Sequence, residues 1–530
     1  MSDPTAPDEP TTPEPTTPEP VAPELGQYPI APVGDDYPVD ENDEAPPRPK
    51  PRRTAKGAAI VGIRVVAGTV GLAVAAATIA VAAIVPLPTI ARTPHPLTVT
   101  PVPTAQQLVC PGSLLRLGDE TGQGASTASA FGQASLRYDA SGGEVTAAPL
   151  AEAGAPGSPI LISSPVGTSA DDRILVAGAQ AEVAATGEFS GLAATDCVGV
   201  ATETWLVGGS TSVGRTTLVT LSNPSDTVST VALEIAGETG AITAPGATGI
   251  VVQPHTQRVL SLAGFAPDVE SPVVHVESRG GQIVASLQQA TVRGLEPGGV
   301  DIVGATTSPS TSQVVPGVVV SGADALATRI GEEGFSDLAT VVRVFVPGDK
   351  PTTAQVSVVA DDGSATGASF SVELEPGMVD DLPIDGLVDG NYTVSVTTAV
   401  PVVAGVRVST VATSVDPLVP GASDFAWLAA SSQLDGDSLV AVAAGPSPRI
   451  HLFNPTADDA DVTLTTGGVD TVVTVAAESS ASMAAEPGST YEVSDFDALV
   501  GAVSYSGPGA IAGYPVQPPA RGSGPIRVLP

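Results

Sequence analysis

The chain is poor in the side chains that do chemistry. It has two cysteines and four histidines in 530 residues. That excludes a cysteine-rich zinc module or a multi-histidine metal centre. Its three lysines are Lys50, Lys56 and Lys350, too few for a Ser-x-x-Lys acyl-transfer site in the body of the chain. Basic residues total 21 against 57 acidic ones, giving a net charge of -36. A surface so acidic repels phosphate, so no nucleic-acid partner is expected. Aromatics are only 3 %, so any core must be built from Val, Leu, Ile and Ala. Nucleophile-elbow, His-Glu-x-x-His and Walker motifs are absent as well.

What is abundant is glycine and proline, 57 and 51 residues. The first stretch, 1–56, carries two copies of Thr-Thr-Pro-Glu-Pro and almost no large apolar side chains. Such a segment cannot offset its ordering entropy and reads as a disordered acidic, Pro-rich cytoplasmic tail. It ends in Arg48, Lys50, Arg52, Arg53 and Lys56, and an apolar run over 57–85 follows. Val65–Val85 holds no charge and no proline, the length of one bilayer crossing. The bases precede it and none comparable follow, so the N-terminus is expected in the cytoplasm and the rest outside the cell. A buried core helix and a cleaved signal peptide are the alternatives. A lead of 56 residues is long for a signal peptide, which favours an uncleaved signal anchor. Residues 86–107 then read as an extended Pro/Thr stalk.

From about Val109 the apolar period becomes two, as in Asp461-Val-Thr-Leu-Thr-Thr, with Gly, Pro, Asp and Asn between the runs. That is an all-β pattern. It also repeats. Apolar strand, Asn-Pro, polar turn and Val-x-Leu strand recur at Asn223-Pro224 and Asn454-Pro455, with Val346-Pro347 in the same frame. Runs at Arg173, Gln282, Pro401 and Gly509 resemble one shared last strand. The expected fold is a tandem array of immunoglobulin-like β-sandwich modules after one transmembrane helix. A divergent module over 108–200 would be followed by modules at 201–310, 311–420 and 421–530. A propeller-like ring of repeated sheets is the alternative.

Cys110 and Cys197 both fall on the predicted outer side and are expected to form one disulfide. Trp205 and Trp427 each precede an Asn-Pro strand and are expected at module junctions. With Tyr491 they are also the candidates for contacting a partner. His255, His275 and His451 sit in strand or strand-edge contexts and are read as structural. A hydrolase would require one of them to meet a Ser and an Asp. The acidic pairs Asp171-Asp172, Asp361-Asp362, Asp380-Asp381 and Asp458-Asp459 lack calcium-loop spacing and read as solvated. No cofactor, metal or catalytic residue is assigned.

Cys110-Pro111, Trp205-Leu-Val-Gly-Gly, Gly214-Arg215 and Leu221-Ser-Asn-Pro224 together resemble an actinobacterial, membrane-anchored secreted family of unknown function. The resemblance covers most of 60–520. Members are often encoded beside a glycosyltransferase, which implies a place in envelope glycan assembly and brings no catalytic residue. The expected function is a non-enzymatic single-pass cell-envelope protein, with its ectodomain a structural or interaction scaffold for an envelope protein or glycan. The alternative is a glycan-binding accessory to an envelope enzyme, which would need an exposed aromatic platform.

Overall fold

The computed structural model describes residues 66–78, 97–99, 105–118, 128–150, 157–166, 174–363, 366–414, 421–519 and 526–528. The chain divides into two compact units, 1–93 and 94–530. In the first, residues 66–78 are an exposed helix. Among the described residues no helix is long and apolar enough to cross a membrane. The anchor expected over 57–85 is therefore not supported there, and the rest of it lies outside the described residues. So do the acidic tail and most of the stalk. Leu97–Val99, expected to be part of a free stalk, pairs antiparallel with Ile526–Val528.

The second unit is almost entirely β. One strand order recurs four times, at 107–196, 203–303, 310–429 and 433–515. In the second module one sheet runs Glu203–Val207, Val273–Arg279, Ser229–Gly237, Gly240–Ile242, and the facing sheet runs Thr256–Ser261, Arg215–Asn223, Val284–Arg293, Glu296–Val303. Both sheets contribute to one core containing Val231, Leu233, Val276, Leu221 and Leu287. The fourth module repeats this with Ser438–Val442, Ser489–Ser494, Ala460–Thr466, Val469–Val475 opposite Ser479–Ala484, Arg449–Asn454, Leu499–Gly507, Ala510–Pro515. In the third, the last strand of the first sheet and the next strand of the second are one continuous strand, Gly390–Val411. Its first half pairs with Ser310–Val320 and Thr352–Ala360, its second with Val341–Phe345 and Ser423–Ala429. Pro401, which has no N–H to donate, sits where the ladder changes partners. Among the described residues the first module lacks the outermost strand of each sheet.

The four modules are not beads in a row. The last strand of each, Ser190–Asp196, Glu296–Val303, Ser423–Ala429 and Ala510–Pro515, packs against the next, and the fourth returns to the first. The modules therefore close a ring around these four strands. This explains a fading of the period-two signal. Ser229–Gly237 and Thr352–Ala360 alternate buried and exposed residues, whereas Val284–Arg293 and Ser423–Ala429 are buried almost throughout. A strand covered on both faces needs no polar side.

Two repeat alignments shift. Residues 282–288, 401–407 and 174–180 do occupy equivalent strands, but Gly509–Pro515 lies one strand later. Ser423–Ala429 closes the third module's second sheet. Trp427 is thus on a module's last strand and Trp205 on a module's first, so they are not repeat-equivalent. Both reversals arise from similar Val/Ala strings in neighbouring strands. A short helix, Ala323–Ile330, packs Leu326 with Leu338 and Val411 beside the third module.

Candidate functional site

The ring closes on a carboxylate. Asp424, on the third module's last strand, is fully buried. Its Oδ2 accepts the N–H of Leu192 at 2.8 Å and of Ile511 at 3.0 Å, and its Oδ1 that of Val300 at 3.3 Å. One side chain thereby engages the other three modules. Glycine makes the approach feasible: Gly299 has φ +118, and a Cβ there would stand 2.6 Å from Phe425 Cδ1. A Cβ on Gly191, φ +145, would collide with Asp424 Oδ1. Nearby Asp301 accepts the N–H of Trp427 at 2.7 Å through Oδ2 and of Ile302 at 2.9 Å through Oδ1. Burial pushes Asp301 up to about 8, against the pull of those two N–H groups. Burial also raises Asp424 well above the usual carboxylate range, opposed by its N–H donors and reinforced by Asp301.

The junction of the second and third modules is built on Arg343 and the two tryptophans. The buried Arg343 guanidinium holds Asp381 through Nε at 2.7 Å and Nη2 at 2.9 Å. It also donates to the carbonyls of Gly209, Pro272 and Glu270 in the second module. Burial alone would raise Asp381, but the charges of Arg343 and Arg407 outweigh it and hold the carboxyl below its ordinary range. Arg343 lies 4.3 Å from the Trp427 ring centroid, and Trp427 Nε1 donates to Gln289 at 2.8 Å. Trp205 is packed with Val207, Phe345 and Val403 and stacks on His275 at 4.0 Å. His275 in turn lies 3.0 Å from Glu234 and 3.1 Å from Glu203. Tyr491 is buried in the core of the fourth module, where its hydroxyl accepts the Glu486 N–H. Trp427 and Tyr491 present no open ring face, and Trp205, 8 % exposed, has one face taken by His275.

The Asn-Pro motif is a turn lock. Asn223 Nδ2 donates to the carbonyls of Thr227 and Val252, while Oδ1 accepts from the N–H and hydroxyl of Ser225. Asn454 repeats this with Asp458, Val475 and Thr456. Both amides are buried and use donor and acceptor sides fully. Cys110 and Cys197 form the disulfide, with Cα atoms 4.2 Å apart. It joins the first module's first strand to the residue after its last.

Two further histidines meet acids, and one of them also meets a serine. His255 Nε2 is 2.7 Å from Asp226 on the surface. His451 Nδ1 is 2.7 Å from Asp361 Oδ2, and its Nε2 is 2.7 Å from Ser504 Oγ. The distances are those of a Ser-His-Asp triad. Access is not: Ser504 is 2 % exposed and His451 wholly enclosed between the third and fourth modules. The adjoining cavity, about 300 Å³, is lined by Asp361 and Arg449 but by neither Ser504 nor His451. The carboxylate faces the space that a nucleophile would need, so the three groups act as a buried hydrogen-bonded link.

Asp361 and Asp381 were expected to be solvated loop acids; both are instead consumed by partners in the interior, His451 and Arg343. Asp171-Asp172 lies outside the described residues. Among the described residues no cluster of three metal-ligating side chains occurs. Sequence reasoning missed Asp301, Asp424 and Arg343. The available signal was a lone charge inside an apolar strand, as in Val341-Val-Arg-Val-Phe.

No curated protein and no solved structure matches the chain. Residues 149–494 match a family of unknown function, DUF5719. The match runs from the first module into the fourth and covers well over half of the chain, which thus belongs to the DUF5719 family of unknown function.

Proposed function

We propose that this is a non-enzymatic, single-pass cell-envelope protein whose four-module ring serves as a rigid extracellular scaffold, with a role in wall or polysaccharide assembly. The observation that carries this reading is the interlock at the ring centre, where Asp424 engages all three other modules. A ring fixed in this way holds its outward loops at set spacings, which is what a platform for partners requires. The anchor at 57–85, with the N-terminus inside, rests on the apolar run and the bases before it. The modules are read as immunoglobulin-like because each pairs its strands in two facing antiparallel sheets about a shared aliphatic core. The glycan-accessory reading lacks support from Trp205, Trp427 and Tyr491, which are buried.

Thiol labelling of intact cells tests the reading. A membrane-impermeant maleimide is expected to label the protein only after reduction, at Cys110 and Cys197. Labelling without reductant that also needs permeabilised cells would invert the topology and end the envelope reading. Photo-crosslinkers at exposed Val472 and Leu295 are expected to give discrete adducts on intact cells; free protein at both positions would count against a scaffold.

A further inference from the structure

The first, second and fourth modules meet around a cavity of about 380 Å³, large enough for a small organic ligand. Its walls include Asp196, Glu203, Trp205, Thr306, Tyr514 and Gln517. Asp196 decides its chemistry. The residue is 7 % exposed, and its Oδ2 has no hydrogen-bond partner. Its Oδ1 has Thr195 Oγ1 at 3.5 Å. A buried carboxyl oxygen left unmatched is costly, and a ligand that supplies a donor recovers that cost. Burial raises the carboxyl to about 7, with the Gln517 side chain tempering the rise, so a cation in the cavity returns it to the charged form near neutral pH.

The rest of the lining narrows the ligand class. Among the described residues no Arg, Lys or His lines the cavity, and the chain as a whole repels an anion. Among the described residues no group of three metal-ligating side chains forms, so a bare metal ion is poorly served. Two carboxyls with Trp205 and Tyr514 are the complement of an organic ammonium, which pairs with a carboxylate and lies well against aromatic rings.

We infer that this cavity is a binding site for a small organic cation, a ligand carrying a protonated primary amine held by Asp196. The site goes beyond the scaffold reading and does not depend on it.

Titration calorimetry on the purified full-length protein tests it, with 1,5-diaminopentane as probe, 1,5-pentanediol as neutral control and glutarate as anionic control. The diamine is expected to bind saturably at one site, the diol at least tenfold more weakly and glutarate not at all. D196N, close to isosteric, is expected to lose at least tenfold in diamine affinity while melting cooperatively. Should D196N not fold, Q107R carries the comparison. Gln107 is exposed at the cavity edge, and a cation there is expected to cost a similar factor. Undetectable binding, a diol as tight as the diamine, or a diamine affinity unchanged in the folded variants would overturn the assignment. The last would reduce amine binding to the general attraction of an acidic chain.

Discussion

Asp301 gives the ring a pH dependence whose sign and size follow from its surroundings. Its carboxyl is pushed from 3.8 up to about 8 by burial. Below about pH 4 the group is protonated in both folded and unfolded chains, and its contribution is fully present. Above that the unfolded chain loses the proton and the folded one keeps it. Stability then falls by about 1.4 kcal/mol per pH unit until the folded group ionises near 8. From about pH 5 to about pH 7 this amounts to roughly 3 kcal/mol from one residue. Asp424 and Asp196 are raised for the same reason and act in the same direction. Asp337 and Asp381 are lowered, by Arg293 with Arg215 and by Arg343 with Arg407, against the effect of burial. Their contributions are lost only as pH falls below the ordinary carboxylate range, outside this window. D301N keeps one acceptor for the two N–H groups and costs about 1–3 kcal/mol at acid pH. It cannot ionise, so its stability should decline less steeply, by about 1.4 kcal/mol per unit. The two curves should cross, with the variant the more stable form at mildly alkaline pH. Urea unfolding followed by circular dichroism at several pH values measures this directly. Parallel curves for the two proteins would refute a neutral Asp301 in the native ring.

Three further outcomes are expected. N454A removes an amide that satisfies Asp458, Val475 and Thr456 at one turn, and should cost about 2–3 kcal/mol; N223A should cost the same, and a urea midpoint unmoved in either would remove the turn-lock role. G299A sets a Cβ against Phe425 at φ +118, and should destabilise by about 2–4 kcal/mol, read as a lower melting temperature; a wild-type melt would mean the inner strands have slack. S504A should leave any hydrolysis of simple ester substrates at the wild-type level, because Ser504 is enclosed; a large loss of turnover in a folded variant would make the His451 link catalytic.

Much of the fold was legible because it is local. Alternating Val and Thr, the Asn-Pro turns and the lone cysteine pair each state their role within a few residues. Ring closure was not legible in this way. It depends on Gly191 and Gly299 leaving room for Asp424 and Phe425 from a strand well over a hundred residues away. No sequence pattern ties those positions together. Asp301 and Asp424 also sit among apolar residues without a neighbouring base, so charge alone marks them as surface. His451 was read correctly as strand-borne, yet its partners arrive from another strand and from the turn after Thr352–Ala360, which no spacing rule in the chain foretells. The Asp196 cavity is likewise assembled from three modules and invisible in any one of them.

The disulfide alters how tension would travel through the chain. Pulling on residues before Gln107 loads the first strand of the first module, which among the described residues has two strands fewer than its siblings. Cys110 and Cys197 stand 87 positions apart in sequence but 4.2 Å apart at Cα. A tug entering at Cys110 therefore crosses to Cys197 through one covalent bridge and passes straight on to the second module. The thinnest module is bypassed: it can be shaken by the chain without being unravelled by it.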